Sequence, residues 1–82
     1  MLVQVTREHI RLGVPRDGNE CAIAVCLRQM GYDDVCVGPG WVAITKAQSK
    51  VYYGLPKVLA QWMSAFDRKQ YVEPITFIME PE

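Results

Sequence analysis

The chain has 82 residues, half of them apolar and 22% charged. That mixture lies outside the polar composition of disordered chains, and the length suits one domain, residues 1–82, with one core. Nine basic residues balance nine acidic ones, so no net field draws the protein to a phosphate backbone or an anionic membrane, which disfavours nucleic acid as a partner.

Leu2 to Thr6 is β-branched and alternating, with Val3 and Val5 on one face, and predicts a first strand. Thr6 is a good N-cap for a short helix Arg7 to Leu12, with Glu8 well placed against the helix dipole. Gly13 ends that helix, and Pro15-Arg16-Asp17-Gly18 has loop chemistry. Asn19 then predicts the N-cap of a helix Glu20 to Met30, closed by Gly31. Its stretch Cys21 to Leu27 has no polar side chain apart from the thiols. It should therefore be buried on most sides, with Ile23, Leu27 and Met30 facing a sheet and Ala22 and Ala24 admitting close backbone approach.

Val35-Cys36-Val37 and Trp41 to Thr45 predict an antiparallel pair around the hairpin turn Gly38-Pro39-Gly40. After a polar loop Lys46 to Lys50, Val51-Tyr52-Tyr53 adds a short edge strand. Leu55-Pro56 opens an amphipathic helix in which Val58, Leu59, Trp62, Ala65 and Phe66 recur at spacings of three and four, placing Trp62 in the core. Ile75, Phe77 and Met79 alternate with Thr76 and Ile78 in a last strand bracketed by Pro74 and Pro81. The expected fold is α+β: a small antiparallel sheet with helices packed on one face, in the order β-α-α-β-β-(β)-α-β.

Cys21, Cys26 and Cys36 are odd in number and match neither a paired zinc motif nor a secreted disulfide framework, which fits a reduced, cytoplasmic setting. The opening MLVQVTREHI has no basic segment leading into a long apolar stretch, and no run approaches the length that spans a bilayer. A metal site from His9, Cys21 and Cys26 or Cys36 is not expected, because residues 21 and 26 are offset by about 140° around a helix. No cofactor motif is present either: Gly38-Pro39-Gly40 lacks the lysine and following helix of a phosphate loop.

Three functional readings follow. A thiol in a first helical turn feels the positive end of the dipole, so Cys21 with His9 as base is a catalytic candidate. The string Asp17 to Ala22 resembles the loop-to-helix junction of papain-like enzymes, yet the chain is far shorter, His9 precedes the cysteine and no Gln-Gly signature precedes Cys21. The enzyme reading is accordingly placed behind packing of the two helix thiols in the core. Arg7, Arg11 and Arg16 form a local basic group that could touch nucleic acid or a protein. Trp41, Tyr52 and Tyr53 lie near the sheet edge, where aromatic side chains serve as core or as partner-binding anchors, and an exposed edge also suits homodimerisation.

The segment Val5-Thr6-Arg7-Glu8-His9-Ile10, then Gly13, then Cys21 to Leu27 resembles a family of small proteins carried by phages and prophages, mainly of actinobacteria, with a Glu-His-Ile segment and a Cys-Pro-Ile-Ala-Leu-like helix. Leu55-Pro56, Phe66-Asp67, Val72, Pro74 and Phe77 resemble its closing segment. This chain departs at Ala22, where the pattern has proline, and lacks a cysteine shortly before Cys21. The resemblance implies a phage-type accessory protein and supplies no catalytic residues. With the small size, it leads to an expectation of stoichiometric binding to a host or antiphage-defence protein, such as a CRISPR effector, in the host cytoplasm.

Overall fold

The computed structural model describes residues 1–81. The chain is α+β, running β1 (Leu2–Val5), α1 (Arg7–Leu12), α2 (Ala22–Gln29), β2 (Asp33–Gly38), β3 (Trp41–Lys46), β4 (Ser49–Gly54), α3 (Val58–Asp67), β5 (Ile75–Ile78) and β6 (Glu80–Pro81). The strands form two antiparallel sheets, β1-β5 and β2-β3-β4-β6. One C-terminal run serves both, since β5 pairs with β1 and β6 pairs with β4 at Tyr53 and Gly54. Between them, Met1 and Met79 exchange backbone hydrogen bonds at 3.0 and 2.9 Å.

α2 packs against both β1 and β2, the outermost strands of the two sheets. Ala22, Ile23, Ala24, Cys26 and Leu27 are buried there with Val3, Val5, Val35, Val42, Ile44 and Met79. Leu59 and Phe66 of α3 join the same cluster, so the helices share one side of the strands. Ala22 is the point of closest approach: a Cβ added to Gly13 would lie 2.5 Å from the Ala22 backbone nitrogen. The small residue expected to admit a neighbouring backbone does so.

Several boundaries differ from the sequence expectation. α2 is capped at Cys21 rather than Asn19, because residues 17–20 close a loop of their own. Glu20 donates to the Asp17 carbonyl and accepts from the Val14 amide, while the Gly18 carbonyl accepts from Val37 of β2. Met30 is the C-cap and is exposed, not sheet-facing. The helix stops in a Schellman motif with Gly31 at φ +102°, Tyr32 donating to Leu27 and Gly31 to Arg28. Val58, at the start of α3, is exposed as well.

The segment expected as a polar loop is a two-residue hairpin turn, Ala47-Gln48, with φ of +49° and +66°. Both central residues of a type I′ turn need positive φ, a role usually taken by Asn or Gly, so Ala-Gln carries no hairpin signal. β4 therefore starts at Ser49, and its outer edge is partly covered by β6 rather than free. The turn at Pro39-Gly40 is as expected, with Gly40 at φ +77° and Gly38 paired with Trp41.

Candidate functional site

Strand residues alternate between the helix-covered side and the opposite side of each sheet. Val42, Ile44, Val51 and Tyr53 point inward, against the core. Trp41, Ala43 and Tyr52 point outward, and the pairing Cys36↔Ala43↔Tyr52 fixes their register. The Trp41 and Tyr52 rings meet in a tilted contact with centroids 5.9 Å apart. Trp41 lies over Gly38, whose missing side chain leaves the ring its place: a Cβ there would sit 2.2 Å from the indole.

The outward side of the other sheet is apolar too. Leu2 and Ile78 are cross-strand partners, 57% and 52% exposed, and Tyr52 is 46% exposed. The two sheets thus present Leu2, Ile78, Tyr52 and Trp41 on faces that no helix covers. Leu2 and Ile78 were not among the sequence candidates. The alternation that sets Ile78 apart from Phe77 and Met79 contained the signal.

The other candidates are dispersed. Tyr53 is buried and its hydroxyl is bonded to Lys46 Nζ at 2.7 Å. Arg7 donates to the Val72 carbonyl and the Tyr71 hydroxyl and pairs with Glu73, which ties α1 to the segment before β5. Arg11 is held by Glu8 one turn earlier. Arg16 is exposed and lies elsewhere, on the rim of a groove beside α3. Two of the three arginines are thus paired with carboxylates.

His9 and Cys21 are not hydrogen-bonded to each other. His9 is buried, its Nδ1 accepts the Thr6 amide proton at 2.9 Å, and its Nε2 meets Gln29 Oε1 at 2.8 Å. Both ring nitrogens are spent on a capping box and on joining α1 to α2. Cys21 is fully buried, and that burial pushes its thiol above the ordinary range. The amides of Ala24 and Ile23 favour the thiolate weakly, without a capping hydrogen bond, and Asp67 and Asp17 oppose it. Cys26 is likewise raised by burial, and its thiol donates to the Gln4 carbonyl at the β1 edge.

Among the described residues no three His, Cys, Asp or Glu side chains come together to hold a metal ion. No helix among them is long and apolar enough to cross a membrane. Comparison with protein families, curated proteins and solved structures finds no match.

Proposed function

We propose that the protein acts by stoichiometric binding to another protein through the uncovered sheet face centred on Trp41 and Tyr52. The observation that carries this reading is the aromatic pair on the helix-free face, an exposed Tyr52 against a half-buried Trp41, together with the exposed Leu2 and Ile78 on the other sheet. Aromatic side chains with an apolar body and a polar tip are the commonest energetic anchors of protein interfaces. The engagement of both His9 nitrogens and the upward shift of the Cys21 thiol support binding rather than cysteine catalysis.

The target we favour is a host or antiphage-defence protein, such as a CRISPR effector, met in the cytoplasm of a phage-infected bacterium. The family resemblance and the size of the chain support that choice. The deciding experiment plates a targeted phage on CRISPR-immune hosts that express the protein. Native protein should restore plaques, and a Trp41→Ala/Tyr52→Ala variant of unchanged melting temperature should not. Absence of protection by the native protein across a panel of defence systems would remove the inhibitor reading. Equal protection by the variant would move the interface elsewhere.

The edge of β4 at Ser49–Tyr52 has no strand partner among the described residues, which supports self-pairing as a second mode. It requires a dimer in sedimentation at micromolar concentration.

A further inference from the structure

Beside the β2–β3 turn a groove of about 780 Å³ opens between α3, the turn and the loop before α2. Its apolar lining includes the buried side chains of Cys21, Val37 and Leu59, with Met63 and Pro39 nearby. The volume falls in the range of small-molecule pockets, and an apolar lining with a few polar groups at the edge is their usual chemistry.

Four charged residues line this groove, Arg16, Lys57, Asp17 and Asp67, and their charges sum to zero. They are not equally free. Asp67 Oδ1 accepts the Arg16 backbone amide at 2.9 Å, and Asp17 Oδ1 accepts the Asn19 amide at 3.0 Å, so each carboxylate keeps its charge but is fixed against the loop. The Arg16 and Lys57 side chains are exposed and have no ion pair or hydrogen bond among the described residues. The two carboxylates are held in place, whereas the two cations sit on long, free side chains that can close on a ligand; with the apolar interior they match a molecule with an apolar body and an anionic end.

We propose that this groove is a binding site for a small amphipathic molecule carrying one anionic head group, its apolar body against Cys21 and Leu59 and its head between Arg16 and Lys57. The groove and the aromatic face meet only at Gly38, which lines the groove and lies under the Trp41 ring, so Tyr52 is the residue that tests the two separately.

The test titrates the full chain with 8-anilinonaphthalene-1-sulfonate, followed by fluorescence, and then displaces the dye with decanoate or decanol. One saturable site is expected, displaced at least tenfold more effectively by decanoate than by its neutral counterpart. Ala60 is exposed on α3 and lines the groove, so Ala60→Trp should weaken dye binding at least tenfold by filling the space. Arg16→Gln/Lys57→Gln should weaken it at least fivefold at low salt, and the aromatic variant Tyr52→Ala should leave it unchanged.

Amide NMR of the native protein gives a readout that needs no variant: decanoate should shift Gly18, Cys21, Gly40 and Lys57 and spare Tyr52 and Ile78. Unchanged dye affinity in Ala60→Trp would overturn the proposal. So would loss of binding in the aromatic variant, equal displacement by decanol, or decanoate shifts confined to the outer face. Binding only by a partner's apolar side chain would show as no dye site and no decanoate shift, and would overturn it too.

Discussion

His9 Nε2 lies 2.8 Å from Gln29 Oε1, joining the third residue of α1 to the last residue of α2. Because Nδ1 accepts the Thr6 amide proton, the neutral ring carries its own proton on Nε2 and donates it to Gln29. The histidine is thus a structural joint with fixed donor and acceptor roles. Gln29→Ala leaves a buried N–H without its partner and should cost about 1 kcal/mol, and His9→Ala about 2 kcal/mol, since it also dismantles the capping box. A double-mutant cycle in urea should return a coupling of about 1 kcal/mol. A coupling near zero would show that the pair contributes nothing to stability.

Gly13 and Gly31 separate two reasons for glycine. At Gly13 a methyl would meet the Ala22 nitrogen at 2.5 Å and the Phe66 ring at 2.9 Å, and backbone cannot move aside cheaply. Gly13→Ala should therefore cost about 2–3 kcal/mol. At Gly31 nothing lies within 4 Å of the added carbon, but φ is +102°. Gly31→Ala should cost about 1 kcal/mol through conformation alone. Denaturation midpoints with unchanged m-values would check the ordering, and a reversed order would contradict the packing of α1 against α2.

Much of the fold was legible because local chemistry and tertiary demand agree. Thr6 caps α1, Gly31 closes α2 and Pro39-Gly40 turns the hairpin, each as the residue type predicts. What was hidden is long-range or anti-intuitive. The start of α2 moved because Gly18 bonds Val37, a contact no local pattern announces. The pairing of Glu80 and Pro81 with β4 is likewise non-local. For the candidate site, Tyr52 and Tyr53 looked equivalent, yet neighbours in a strand face opposite ways, so register alone decides which is an anchor and which is core. Ala47-Gln48 gave no turn signal, which hid the true length of β4.

Residues in the left-handed region without glycine offer a route to higher stability. Lys69 occupies the position after the α3 cap at φ +61°, with Gln70 donating to Ala65 and Lys69 to Phe66, the Schellman pattern that glycine normally completes. Gln48 is the second residue of the β3–β4 turn at φ +66°. Lys69→Gly and Gln48→Gly should each stabilise by about 0.5–1 kcal/mol, and additively because the sites share no partners. Neither is part of the aromatic face, so any phage-protection phenotype should persist. A lower melting temperature in either variant would mean that those φ values are not held in solution.

The thiols make the last case, because their shifts have a definite sign. Burial raises Cys21 and Cys26 above the usual value of 9.0 in the folded chain, whereas both return to it on unfolding. Below pH 9 folded and unfolded chains alike hold these protons, and stability is unaffected. As pH rises through 9 the unfolded chain releases them while the folded chain retains them, so stability falls, by about 1.4 kcal/mol per pH unit for each proton. Lys46, raised by its hydrogen bond with Tyr53, adds a fall of the same sign only as pH rises past its usual value of 10.5. Comparing native protein with Cys21→Ala cancels that contribution, and the variant should lose stability less steeply between pH 9 and 10.5. Iodoacetamide at pH 8 should modify half-buried Cys36 first and reach Cys21 and Cys26 only in denaturant. Rapid alkylation of Cys21 in the folded protein, with a pH slope unchanged by its removal, would return this thiol to consideration as a nucleophile.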